Sequence, residues 1–139
     1  MNVFRACCVV FCAVSCLSFA KADSFYDARG SHVGRAVTDS AGNTRYYDKT
    51  GSYMGSARKS GNTVRYYDKT GSYAGCAQSS GNTTRYYDKR GSYAGSSNQN
   101  GTNTRYYDKC GSYSGSARDS DSTTRYYDKR GAYKGSKRR

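Results

Sequence analysis

A pentad, Arg-Tyr-Tyr-Asp-Lys, recurs along this chain at a fixed spacing, and this repeat restricts the folds open to the sequence. The pentad occupies residues 45–49, 65–69, 85–89, 105–109 and 125–129, and a degenerate copy lies at residues 25–30. The complete copies follow one another every 20 residues. A fixed period of this size is the signature of a repeat architecture, in which each unit is one small supersecondary element.

Each unit has the turn signals of a β-hairpin. In the first complete unit, Thr44–Tyr47 is a candidate strand and Ser52–Ser56 is its partner. The link between them begins with Asp48 and ends with Gly51, which is typical of a type I turn followed by a left-handed residue. That combination predicts a three-residue hairpin loop with a bulge at the glycine. A second polar turn at residues 59–62 leads into the next unit, so two strands and two turns account for the period.

The turn also predicts a register. If Asp48 lies opposite Ser52, then Tyr47 lies opposite Tyr53, Tyr46 opposite Met54, and Arg45 opposite Gly55. Opposed residues share a face of the sheet, so one face is expected to carry Arg45, Tyr47, Tyr53 and Gly55. The predicted fold class is therefore all-β, with tandem ~20-residue β-hairpin repeats forming an open antiparallel meander or β-solenoid.

The composition excludes a conventional aliphatic core. After residue 22 the chain contains no Leu, Ile, Trp, Pro or Glu, whereas all 16 tyrosines lie in this part. Tyrosine rings must then fill the core, and each buried hydroxyl must find a partner.

The two ends of the chain differ in character from the repeats. Residues 1–22 have the form of a secretory signal peptide, with an apolar run at residues 6–20 and a cleavage site after Ala22. Lipoprotein processing at Cys16 is the alternative. We therefore expect one repeat domain of six units at residues 23–139, in a secreted, periplasmic or cell-surface protein. Residues 134–139 form a basic tail, for which a frayed terminus is the simplest expectation.

Charge points to an anionic partner. Lys and Arg outnumber Asp and Glu by 23 to 10 in the whole chain. Without the two cations of residues 1–22, the balance is 21 − 10 = +11. Such an excess favours acidic polysaccharide, cell-envelope glycan or nucleic acid as a partner, or it serves only to keep a tyrosine-rich surface soluble.

The sequence offers little for catalysis or metal binding. The single histidine, His32, occupies a tyrosine position of the degenerate first unit, and no nucleophile–base arrangement can be assembled around it. Cys76 and Cys110 lie in different phases of the repeat, which gives no geometric support for a disulfide, although an oxidising compartment permits one. We expect a protein that is not an enzyme, with no cofactor, no metal site and no transmembrane segment after the signal.

The motif Tyr-Tyr-Asp-x-x-Gly after Gly-Asn-Thr-Thr-Arg, seen at residues 81–91, resembles the tyrosine–aspartate (YD) repeats of the RHS family. The resemblance covers residues 25–135. It implies β-sheet spirals and carbohydrate binding. A weaker likeness, to choline- and glucan-binding surface repeats, rests on the similar period and paired aromatics.

The best candidate for a binding surface is the arginine–tyrosine face. In a flat meander, equivalent residues of successive hairpins lie two strands or ~9.5 Å apart, so the arginines would form a ladder along an anionic polymer. We predict binding of acidic or cell-envelope glycan there, with nucleic acid the less favoured partner. The alternative is a structural or adhesive protein that self-associates through open β-edges. The predicted ligand-binding residues are Arg45, Tyr47, Tyr53, Arg65, Tyr67, Tyr73, Arg85, Tyr87, Tyr93, Arg105, Tyr107, Tyr113, Arg125, Tyr127 and Tyr133.

Overall fold

Twelve antiparallel strands close on themselves in the computed structural model, which describes residues 21–139. Each strand pairs with its sequence neighbours, and β1 pairs with β12 to close the barrel. The strands are β1 (Lys21–Asp27), β2 (His32–Thr38), β3 (Thr44–Asp48), β4 (Tyr53–Ser60), β5 (Thr63–Asp68), β6 (Tyr73–Ser80), β7 (Thr83–Asp88), β8 (Tyr93–Asn100), β9 (Asn103–Asp108), β10 (Tyr113–Ser120), β11 (Thr123–Asp128) and β12 (Tyr133–Arg138).

The all-β fold of hairpin repeats is confirmed, but the open meander or solenoid is wrong. The seam between β1 and β12 repeats the register of the internal links, because Asp27 lies opposite Gly135 as Asp128 lies opposite Gly115. The last strand can therefore accept the first as though it were the next repeat. Closure leaves no unpaired edge among the described strands, so self-association through open edges has no edge here to use.

The tight turn after each first strand is confirmed. Asp48 accepts a backbone hydrogen bond from Gly51 at 3.1 Å, and Gly51 has a φ of +85°. The Asp48 side chain accepts from the backbone N–H groups of Thr50 and Ser52 at 2.8 and 2.9 Å. This carboxylate therefore replaces water for two turn amides that the strands cannot satisfy.

The predicted register holds for one pair and then fails. Tyr47 lies opposite Tyr53, but Tyr46 lies opposite Gly55 and Arg45 opposite Ser56. Met54 is the additional residue of a β-bulge, which shifts the second strand by one position. The same shift recurs in the later hairpins.

The second strand is also longer than predicted. Strand β4 continues to Ser60, which lies opposite Thr63, so the linking turn contains only Gly61 and Asn62. At the C-terminus, residues expected to fray are instead paired on both sides, because β12 runs to Arg138.

Tyrosine rings and small side chains fill the barrel interior. Tyr46, Tyr66 and Tyr86 are buried against Ala36, Ala57 and Ala77. The Tyr86 hydroxyl lies 2.9 Å from the buried Ser97 hydroxyl. Large and small side chains thus alternate between neighbouring strands, which fills a core that has no Leu or Ile.

The predicted signal peptide falls on residues 1–22, of which residues 1–20 lie outside the described part of the chain. Lys21 and Ala22, which the predicted cleavage would remove, belong to β1.

Candidate functional site

The outer wall of the barrel carries the predicted arginine–tyrosine face. Along β3, Thr44 and Tyr46 are buried inside, whereas Arg45 and Tyr47 point outward in the alternate phase. Tyr53 lies opposite Tyr47 on the same outer surface. The five arginines of the pentads are all exposed. The structure therefore places the predicted site residues on one surface, but it moves Gly55 to the interior.

Each repeat presents one tyrosine pair. The rings of Tyr47 and Tyr53 meet edge to face with centroids 6.1 Å apart, and the other four pairs have centroids 6.0–6.3 Å apart. Such T-shaped contacts stabilise the pair beyond simple burial. The second tyrosine of each pair keeps 39–40% of its surface exposed, so an aromatic surface remains available to a ligand.

His32 takes the place of the second tyrosine in the first unit. Its ring lies 5.8 Å from that of Tyr26 in the same edge-to-face arrangement. This geometry agrees with the prediction that His32 is a substituted aromatic residue.

Sequence reasoning missed a second set of arginines. Arg58 and Arg118 lie over the rings of Tyr67 and Tyr127, with the guanidinium carbon 5.2 and 5.8 Å from the ring centroid. Arg35 and Arg138 lie over Tyr47 and Tyr26 in the same way. Arg58 and Arg118 were missed because the predicted second strand ends at Ser56, four residues before the end of β4 at Ser60. The sequence signal that could have revealed these arginines is the inward and outward alternation of side chains, which continues from Ser56 to Ser60.

Charge is sorted between the surfaces of the barrel. All ten aspartates lie in the described residues, and each lies in a turn, at a strand end or in the inward phase of a strand. The outward phase of the strands carries arginine as its only charged residue type, and none of these arginines has a carboxylate within salt-bridge distance. They are Arg35, Arg45, Arg58, Arg65, Arg85, Arg105, Arg118, Arg125 and Arg138.

Closure changes the geometry of the predicted ladder. The pentad arginines lie on β3, β5, β7, β9 and β11, which are alternate strands around a closed sheet. The straight ladder is therefore wrong, and the arginines form a belt around the barrel. A straight polymer touches only neighbouring members of this belt, whereas a flexible chain that wraps the wall can reach more of them.

A rim of cations lies beside the tyrosine pairs at one end of the barrel. Lys49, Lys69, Lys89, Lys109 and Lys129 occupy the second position of the Asp-x-x-Gly turns and are exposed. The aspartates of these turns are held by their own loops. Hydrogen bonds from the Thr50 hydroxyl and then the Ser52 amide lower the pKa of Asp48, and the same contacts from Thr70 and Ser72 lower the pKa of Asp68.

A largely buried ion pair lies inside the barrel at the seam between β1 and β12. Lys137 Nζ lies 3.7 Å from Asp23 Oδ2, and both side chains are largely buried. Lys137 occupies the position of Ala57 and Ala117 in other repeats, and Asp23 that of Thr44. Burial beside this group, among Tyr106, Asp119 and Asp23, raises the pKa of Tyr126 well above its usual range.

The two cysteines are free thiols in different places. Cys76 lies on the outer phase of β6, and Cys110 is exposed in the turn after β9. A hydrogen bond with Cys76 and partial desolvation raise the pKa of the Tyr73 phenol. Within residues 21–139, no group of three or more His, Cys, Asp or Glu side chains has metal-binding geometry. No helix in the same residues has the length and apolarity needed to cross a membrane.

No protein-family model matches the chain, and no curated protein matches it significantly. The resemblance to YD repeats therefore stays a prediction, carried by the residues of the repeat alone.

Proposed function

We propose that this protein binds acidic polysaccharide of a cell envelope or extracellular matrix on the outer wall of its barrel, without catalysing a reaction on it. The observation that carries the proposal is the sorting of charge. Exposed arginines share the wall with tyrosine pairs, and all carboxylates lie in turns, at strand ends or inside.

Arginine and tyrosine suit two different parts of such a ligand. A guanidinium group donates two parallel hydrogen bonds to a carboxylate, sulfate or phosphate group. A tyrosine face packs against the apolar face of a sugar ring while the hydroxyl remains in water. Arg45 and the exposed Tyr53 ring bring both kinds of contact together within one repeat.

Each repeat alone would bind weakly, because an exposed ion pair contributes only ~0–1 kcal/mol. Repetition changes this, since binding at one repeat raises the effective concentration of the ligand at the next. A flexible polysaccharide that follows the belt around the wall satisfies several repeats at once.

The shape of the wall favours polysaccharide over duplex DNA. Proteins read duplex DNA by placing a helix or a β-ribbon in a groove, and the closed barrel presents no projecting element of this kind among its described strands. Nucleic acid therefore remains the less favoured partner, limited to nonspecific attraction between arginine and phosphate.

Retention of the purified protein on immobilised polymers tests this function. The polymers are an acidic polysaccharide, a neutral polysaccharide and DNA. Each is tested at about 50 mM salt, where charges are weakly screened, and at about 500 mM salt, where they are strongly screened. We expect retention on the acidic polysaccharide that exceeds retention on DNA and is lost at high salt. Equal retention on DNA, or no retention on the acidic polysaccharide, would overturn the proposal.

A further inference from the structure

Two pairs of arginines face each other directly across the outer wall. Arg58 on β4 lies opposite Arg65 on β5, and Arg118 on β10 lies opposite Arg125 on β11. Directly opposed residues in antiparallel strands have Cα atoms roughly 5 Å apart, and opposed like charges destabilise a sheet. We call these two sets the arginine pairs.

The repeat shows that the fold does not require the pairs. At the equivalent positions of the intervening hairpins, Gln78 lies opposite Arg85 and Asn98 lies opposite Arg105. A neutral partner is therefore compatible with the same turn, the same register and the same barrel. The like-charge contact is confined to two of these hairpins, so a structural role does not account for it.

The surroundings of each pair leave its charge uncompensated. No carboxylate lies within salt-bridge distance of Arg58, Arg65, Arg118 or Arg125, and all four side chains are exposed. On the same outer face, Arg65 also lies opposite Cys76 on β6, and Arg45 lies on the neighbouring strand β3. The outer-wall charge on the strand next to the first pair, Arg45, is thus also positive.

Tyrosine stacking orients one guanidinium of each pair. The guanidinium carbon of Arg58 lies over the Tyr67 ring, and that of Arg118 lies over the Tyr127 ring. A stacked guanidinium keeps its in-plane N–H donors free, and stacking reduces the freedom it must lose on binding. Arg35 and Arg138 also lie over tyrosine rings. Arg35 lies opposite Tyr47 and Ser24, and Arg138 lies opposite Ser24 and Thr123, so neither faces another arginine. Stacking alone therefore does not create a pair.

We propose that the two arginine pairs are binding sites for phosphate monoester groups carried on sugars. This inference rests on the proposed function and narrows its ligand to a phosphorylated glycan. A phosphate monoester carries a charge of about −1.5 to −2 and three acceptor oxygens at neutral pH. It can accept bidentate hydrogen bonds from two guanidinium groups, whereas one carboxylate or sulfate ester neutralises only one of them.

The pairs are two independent sites. Strands β4 and β5 are separated from β10 and β11 by six positions in the closed strand order, in either direction. One small sugar phosphate cannot reach both pairs, so the protein is expected to bind two equivalents of it.

The test is a titration of the purified protein with glucose 6-phosphate, glucose 6-sulfate and glucuronate, followed through the NMR signals of the arginine Nε–Hε groups. In the wild type, we expect the phosphate to shift the signals of both pairs and to bind at least about tenfold more tightly than the other two sugars, a difference of about 1.4 kcal/mol. Equal affinity for the three sugars would overturn the proposal.

Two double variants use substitutions that the chain already contains at equivalent positions. In R58Q/R118Q, the phosphate preference should fall to within about twofold, and an unchanged preference would contradict the assignment. In Q78R/N98R, two new pairs should raise the stoichiometry from two to four, and a stoichiometry of two would contradict it. Far-ultraviolet circular dichroism checks that each variant keeps the barrel.

The outcome separates this inference from the function on which it rests. Retention on acidic polysaccharide without a preference for the sugar phosphate would overturn the arginine pairs and leave the polysaccharide site standing. If the protein neither stays on acidic polysaccharide nor prefers the sugar phosphate, both proposals are overturned together.

Discussion

Tyr46 on β3 lies directly opposite Gly55 on β4. On the other side of β4, the missing side chain of Gly55 lets the backbone of β5 approach. Gly55 has a φ of +146°, a value that side-chain-bearing residues rarely adopt, and a Cβ there would overlap the backbone oxygen of Tyr67. The equivalent glycines of the other hairpins share this conformation and this contact. Bulge, glycine and buried tyrosine therefore form one unit of the fold.

Replacement of Gly55 by alanine is expected to destabilise the barrel by about 3 kcal/mol, because strained backbone and steric overlap add together. Gly51→Ala is the matched control. Gly51 also has positive φ, but nothing lies within 4 Å of its added Cβ, so a loss of only about 1 kcal/mol is expected. Urea unfolding measures both, and equal losses would contradict the role of close strand approach.

The hydrogen bond between Tyr86 and Ser97 should contribute measurably to the core. Ser97 is 5% exposed and its hydroxyl lies 2.9 Å from that of Tyr86. Tyr86→Phe should cost about 1–2 kcal/mol, because it removes a partner from a buried hydroxyl. A double-mutant cycle with Ser97→Ala should give a coupling energy of about 1 kcal/mol. Strict additivity of the two substitutions would show that the hydroxyl groups do not interact.

The ion pair at the seam should stabilise closure only while both partners are present. Lys137→Ala leaves the Asp23 carboxylate buried without its ion-pair partner, which is expected to cost about 3 kcal/mol. Asp23→Thr together with Lys137→Ala restores the residues found in other repeats and should recover most of that loss. If the double variant is as unstable as Lys137→Ala, the unpaired charge is not the cause.

Acid should weaken the turns. The pKa of Asp48 and Asp68 is lowered by hydrogen bonds from Thr50 and Thr70 first, and the turn amides lower the pKa of Asp39 and Asp128. Groups with a depressed folded-state pKa stabilise the fold above their unfolded pKa, about 3.9, and this contribution is lost as pH falls through the folded value.

The melting temperature is therefore expected to be level between about pH 7 and 5 with respect to these groups and to decline below about pH 4. Asparagine at all four positions keeps the acceptor oxygen but removes the titration. In this variant, the melting temperature should fall less steeply below about pH 4 than in the wild type. An unchanged fall would contradict the assignment of the acid sensitivity to these turns.

Local features of the fold were predictable from the repeat, and nonlocal ones were not. Asp48 and Gly51 define the turn, which places Tyr47 opposite Tyr53. The bulge at Met54 was not visible, because the close approach of Gly55 to Tyr67 that accompanies it lies between β4 and β5, outside the β3–β4 hairpin. Closure depends on β1 meeting β12, more than 100 residues apart in sequence. No local pattern encodes that contact, although Lys137 and Asp23 depart together from the repeat.

The candidate site follows the same division. The outward phase of Arg45, Tyr47 and Tyr53 was predictable from alternation within one hairpin. The arginine pairs depended on the length of β4, because Arg58 lies beyond Ser56, where the predicted strand ends. The belt replaced the ladder because closure bends the row of equivalent strands around the barrel.

The most direct test of the account compares two triple variants with equal net charge. One variant, R65Q/R85Q/R105Q, removes three arginines from the outer wall, and the other, K49Q/K69Q/K89Q, removes three lysines from the turn rim. Binding of each to the same acidic polysaccharide is measured at about 100 mM salt, where charges within about 10 Å still interact. The account predicts at least a tenfold loss of affinity, about 1.4 kcal/mol, for the arginine variant and a loss of less than about threefold for the lysine variant. Equal losses in the two variants would show that net charge, rather than the arginine–tyrosine wall, holds the polysaccharide.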